Sequence, residues 1–203
     1  MNTTKQVFLL FVLIALSLPS FAQKLKIKKG DFSALSDQKT ISLVFDYSEM
    51  SVGKYKKESE YVNKKVKDKN KDEKGSGDAW KKAWEGDREQ RFEVNFLELF
   101  NKHIEDKGLK SSKSMEDSQY KLVVKTVHTE PGYNIGISRR DAHINIDYLL
   151  YEKGNDKPIC HASMEKIKGR DAMGFDFDNG ERMAEAYAKA GKELGQYLSK
   201  KVL

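Results

Sequence analysis

The sequence predicts an α+β domain: a mostly antiparallel sheet of four to five strands with two main helices packed on one face, in the order β-α-β-β-β-α. Three patterns predict it. Residues 121–129, 141–151 and 159–168 read as three successive strands. In the middle one, Ala142, Ile144, Ile146, Tyr148 and Leu150 share one face, and Asp141, His143, Asn145 and Asp147 share the other. A period of two with one apolar face marks a strand covered on its back and wetted on its front. Residues 88–106 and 181–200 instead place their apolar side chains at helical spacing and can supply that cover.

Residues 1–22 read as an address rather than as part of the fold. Lys5 precedes an unbroken apolar run, and Ser20, Phe21 and Ala22 form a small-x-small cleavage site. This is a secretory signal peptide, too short for a spanning helix. Cleavage there starts a single domain at Gln23, occupying residues 23–203 with a lysine-rich insertion at about 54–77. No cysteine near the site could accept a lipid, and no later stretch is apolar enough to cross a bilayer. A periplasmic or extracellular location is the expectation. The lone Cys160 has no partner in its own chain, so disulfides do not hold the fold; it reads as a small buried hydrophobe.

Lys26, Lys28 and Lys29 alternate with Leu25 and Ile27, as in a guarded edge strand or an amino-terminal tail. Residues 40–47 (TISLVFDY) read as a strand central in the sheet. In the insertion, Tyr55, Val62 and Val66 have roughly helical spacing amid dense charge, which predicts a solvent-facing helix. Trp80 and Trp84 share a face of the next helix and read as a roof over the core rather than as a sugar platform. Gly86 should break that helix, with Asp87 and Gln90 as a capping box that restarts it. Phe92, Phe96, Leu99 and Phe100, extended by Leu97 and Ile104, make the stripe that lies on the sheet. His103 on its margin reads as an interior histidine. In the last helix Met183, Tyr187, Ala190, Leu194 and Leu198 form the packing face. Ala184, Ala188, Gly191 and Gly195 beside them predict a close approach to the sheet. Asp176, Asp178 and Asn179 in the preceding connector resemble a calcium loop, but the glycine comes too early and no glutamate closes the site. Asp178 with Glu181 reads better as a helix cap.

The net charge of +6 comes from lysines interspersed with acids. It favours weak attraction to anionic surfaces, and no basic-aromatic platform of a nucleic-acid binder accompanies it. The loop at 130–140 carries Pro131 and Gly132 as a turn signal, and Tyr133, Asn134, Ile135, Arg139 and Arg140 as a candidate binding set. His143, Asn145 and Asp147 on one strand and His161, Ser163 and Glu165 on the next alternate toward one face. A metal-dependent or hydrolytic enzyme built on His143, Asp147, His161 and Glu165 is therefore the competing reading. No motif of a nucleophile elbow or zinc protease accompanies it, so no catalytic residue, metal ligand or cofactor is assigned.

The strand trio followed by the helix from Arg182 to Gly195 resembles uncharacterised secreted proteins of Bacteroidota-type envelopes. The order of elements over residues 40–198 is similar to that of TolB amino-terminal and curli-secretion-type periplasmic domains. The resemblance implies a non-enzymatic binding or assembly accessory of the envelope, with an envelope protein or anionic envelope polymer as partner. The sequence departs from that pattern in lacking a lipobox cysteine and in carrying the lysine-rich insertion. A structural protein that oligomerises through an edge strand is the third reading.

Overall fold

The chain runs β1 (Lys26–Lys29), β2 (Thr40–Asp46), β3 (Ser51–Val52), α1 (Glu58–Asp72), α2 (Ser76–Asp87), a π-helical turn (Arg88–Phe92), α3 (Glu93–Ile104), β4 (Lys110–Ser112), β5 (Tyr120–Glu130), β6 (Tyr133–Ile135), β7 (Ser138–Arg140), β8 (His143–Glu152), β9 (Cys160–Lys168) and α4 (Asn179–Lys201). This is a computed structural model, and it describes residues 25–115, 117–135, 138–169 and 179–203. The signal peptide, the tip residues Gly136 and Ile137, and the connector with Asp176 and Asp178 lie outside the described residues.

The mixed α and β composition matches the expectation, but the sheet is larger and less uniform than expected. It has seven strands in the order β1-β9-β8-β5-β2-β4, with β3 on the far end of β5. The pairs β1/β9, β8/β9 and β5/β8 are antiparallel. The pairs β2/β4, β2/β5 and β3/β5 are parallel. The reason lies in the connection. After β2 and β3 the chain passes through three helices before β4 and β5, and a helical crossover returns it to the starting end, which makes the next strand parallel. β2 is accordingly next to an edge rather than central. The amino-terminal segment is a strand rather than a tail: β1 lies on β9, exposed at all its positions, with lysines along the outer edge.

The core forms where the alternation predicts. Ala142, Ile144, Ile146, Tyr148 and Leu150 are wholly buried, as are Leu122 and Val124 of β5 and Ile41 of β2. Phe96, Phe100 and Ile104 of α3, and Tyr187, Ala190, Leu194 and Leu198 of α4, meet them with no exposed surface. Leu99 is only half-buried, at the margin of that stripe. The Phe96 ring lies 6.4 Å from Tyr148 and 5.4 Å edge-on to Phe45. The phenols of the two wholly buried tyrosines, Tyr148 and Tyr187, each find a partner, as buried polar atoms generally do. Tyr148 donates to Ala190 O at 3.3 Å, and Tyr187 shares a 2.7 Å hydrogen bond with Thr126.

Two local expectations change. Gly86 does not break α2; the helix runs past it into the π-helical turn, and no side chain caps the start of that turn. A glycine weakens a helix by about 1 kcal/mol, and here the surrounding packing outweighs it. The glycine row of α4 approaches α3, not the sheet. A Cβ on Gly191 would stand 2.2 Å from Phe96 O, and one on Gly195 2.9 Å from Phe100 O. The helices sit side by side on the sheet, so the small residues fall at their mutual contact.

Residues 58–72 of the insertion are helical, as α1, anchored by Val62 and by Tyr61, whose ring meets those of Trp80 and Trp84. The two indoles stack 5.6 Å apart. They close a small aromatic core between α1 and α2, which is the roofing role. Trp84 Nε1 donates to Glu58 at 2.6 Å, and Arg88 pairs with the same carboxylate.

A candidate binding surface

The helices cover one side of the sheet, and the other side holds the candidate site. Register alone composes it. Val44 faces Val123, Val123 faces Leu149, and Leu149 faces His161, in one row across four strands. The next row runs Asp46, Lys125, Asp147, Ser163. On the other flank, Ser42, Lys121 and Tyr151 follow one another. Val44 is 40% exposed, and Val123, Leu149 and Tyr151 are half-buried. The result is an apolar stripe with a row of alternating charge on one flank and Lys121 on the other. Lys125 pairs with Glu49, and Lys121 Nζ sits 5.3 Å above the Tyr151 ring.

A second sheet, the β6–β7 hairpin, leaves the end of this face. Tyr133 opposes Arg140, Asn134 opposes Arg139, and Ile135 opposes Ser138. All five candidate binding residues are therefore on the hairpin, and the loop is a ribbon. Backbone register is what the structure places for Asn134, Ile135 and Arg139. Tyr133 is 37% exposed, with the Arg140 guanidinium 5.9 Å from its ring centre. Arg140 also reaches Glu130 at 3.1 Å, which raises its pKa, and Glu130 accepts the Gly132 N–H at 3.1 Å. Gly132 has φ +70°, and a Cβ there would lie 2.5 Å from Arg140 O, so the turn into the hairpin requires glycine. Glu130, only 9% exposed, thus clamps the hairpin at its root.

The enzyme constellation separates into pieces. His161 Nε2 lies 3.3 Å from an Asp147 carboxylate oxygen, off the line of a hydrogen bond. His143 is four residues from Asp147 along β8, a distance of about 13 Å at the usual strand rise. Glu165 falls in a bulge, where the β8/β9 register shifts between Ile144 and Ile146. The bulge puts Lys166 at φ +53°, and Asn145 Oδ1 steadies it by accepting its N–H at 2.7 Å. The four residues do not converge, and among the described residues no three His, Cys, Asp or Glu side chains could hold one metal ion.

His143 meets a residue that the pattern of alternation hides. Its ring centre is 5.7 Å from that of His128 on β5. Strict alternation along β5 would turn His128 toward the helices with Thr126. A bulge between Thr126 and His128 reverses the phase and brings His128 to the open face, opposite Asn145. Burial, then the neighbouring His143, holds the His128 pKa below the ordinary histidine value. His103 is half-buried under α4 and is also lowered, first by burial and then by Lys192.

A cleft of about 740 Å³ opens beyond the end of β2, lined by Tyr47, Ser48, Met50, Lys57, Glu58 and Arg88 among others. Its arginine is engaged within the fold: Arg88 lies 4.6 Å over the Tyr47 ring and pairs with Glu58. Cys160 is buried, and burial pushes its thiol up to about 11, so it is poorly reactive.

No family model matches the sequence, and no curated protein matches it. Solved structures give distant likenesses. The PelC dodecamer from Paraburkholderia phytofirmans is 8% identical over 82% of this chain and 97% of its own, with a TM-score of 0.36. A Xanthomonas campestris protein of family DUF330 is 10% identical over 86% of this chain and 92% of its own, with a TM-score of 0.38. Likenesses this distant say nothing of the ligand or partners of this chain. Among the described residues no helix is long and apolar enough to cross a membrane.

Proposed function

We propose that this chain is an exported, non-enzymatic accessory protein of the cell envelope that docks another envelope protein through its open sheet face and the β6–β7 hairpin. One observation carries the reading. Two helices bury one side of a seven-stranded sheet, and the other side keeps the Val44–Val123–Leu149 stripe half open. An apolar centre with a polar rim is the composition of a protein interface. The flanking charges favour a protein over an anionic polymer. Asp46, Lys125 and Asp147 alternate in sign along one flank, whereas a polyanion calls for a field of one sign. The hairpin adds Tyr133 and Arg140, two residue types enriched at interfaces. Export rests on the signal peptide, and the Bacteroidota-type and TolB-like resemblance agrees with this role.

The test is cross-linking in the native envelope from a photoreactive residue at Tyr133, with Lys102 on the helix side as control. We expect a discrete protein adduct from position 133 and none from 102. Equal adducts from both positions, or none from either, would refute the docking role.

A further inference from the structure

We propose that His128 and His143 form a two-histidine site for a divalent transition-metal ion at the root of the β6–β7 hairpin. The geometry of three side chains points to it. Ser51 Oγ lies 3.1 Å from Val127 O and 2.9 Å from His128 Nδ1. A hydroxyl has one proton to give, and the carbonyl can only accept. The proton therefore goes to Val127 O, and Nδ1–H of His128 donates to Ser51. That fixes the neutral tautomer and leaves the Nε2 lone pair free. A second hydrogen bond that orients the ring in this way is what metal-ligating histidines characteristically have.

The span fits as well. With a metal–nitrogen bond of about 2.0 Å, the ion sits about 3.2 Å from each ring centre, and a tetrahedral angle puts the centres about 5.2 Å apart. The observed separation of 5.7 Å corresponds to a somewhat wider angle or a small movement of one ring. Both rings are half-buried on the open face, so an ion can reach them. Glu130 is the cross-strand partner of His143, and its carboxylate is held by Arg140 and Gly132. Its charge is already paired with Arg140, so the two imidazoles alone carry the site. With two protein ligands, water completes the coordination sphere. Imidazole pairs suit Zn²⁺, Ni²⁺ and above all Cu²⁺. An ion here would pin β5 to β8 where the hairpin leaves the sheet. This goes beyond the docking role, and its test involves no partner.

The experiment is calorimetric titration of the mature chain with Zn²⁺ and with Cu²⁺, beside His128→Gln, His143→Gln, Ser51→Ala and His161→Gln. We expect one ion per chain, with Cu²⁺ tighter than Zn²⁺. Either His128→Gln or His143→Gln should abolish binding, and His161→Gln should leave it unchanged. Ser51→Ala should weaken it about tenfold, the usual cost of losing such an orienting partner. Circular dichroism of each variant, and NMR broadening of the two ring resonances by Cu²⁺ in the unmodified chain, guard against misfolding. No binding by the unmodified chain would overturn the site, as would broadening confined to His103 and His161 or binding that survives His128→Gln in a folded variant.

Discussion

Phe96→Ala should destabilise the protein by about 4 kcal/mol, within the range for removing a buried aromatic ring. Phe96 has no exposed surface and packs against Phe45, Phe100 and Tyr148. Those neighbours come from β2, α3 and β8, so no single element can shift to fill the void. The cost therefore includes the cavity as well as the lost transfer free energy. Typical domains are stable by only 5–15 kcal/mol, so the variant should lose a large share of its folded margin. Urea denaturation will show it as a lower midpoint with an unchanged slope. Phe96→Leu, which refills much of the volume, should cost less than half as much. Equal losses for the two variants would mean that the ring does not join helix to sheet as described.

Gly191→Ala should lower stability by about 2 kcal/mol, although alanine is the better helix former. The propensity gain is about 1 kcal/mol. Against it stands a methyl placed 2.2 Å from Phe96 O and 3.0 Å from Phe96 C, both backbone atoms of α3. Backbone cannot step aside as a side chain can, so the two helices must separate, and overpacking of this kind costs 1–3 kcal/mol or more. Gly86→Ala is the matched control. In the half-exposed α2 its methyl would meet only the end of Gln90, at 3.3 Å. There the propensity term dominates, and stability should rise by up to about 1 kcal/mol. Opposite signs for one substitution in two helices, read by thermal melting, test whether α4 lies directly on α3.

Where one physical preference acted alone, the sequence was readable. Alternation in β8 told which side of each residue would be buried, because a strand with a covered back allows only one phase. The aromatic stripe of α3 and the packing face of α4 were legible for the same reason at a period of 3.6. Partners were harder. Gly191 and Gly195 announced a close approach, but spacing cannot say whether a sheet or a helix makes it. The parallel setting of β2 depends on where three helices carry the chain, a long-range matter that local pattern does not encode. The bulges on β5 and β9 were least legible. One extra residue at Val127 turned His128 onto the face of His143, and one at residues 165–166 removed Glu165 from the expected cluster. The hairpin residues were singled out by composition. Their root, Glu130 with Arg140, became visible only with the register in hand.

The central claim is that the sheet has one face packed for stability and one left for a partner. Thiol footprinting tests it most directly. Val44→Cys and Leu149→Cys place probes on the open stripe, Lys102→Cys places one on the exposed side of α3, and the native Cys160 is buried and unreactive. The account predicts that the thiols introduced at 44 and 149 react readily in the purified mature chain and about tenfold more slowly in the intact envelope, while that at 102 reacts alike in both. Unchanged reactivity at 44 and 149 in the envelope would contradict it.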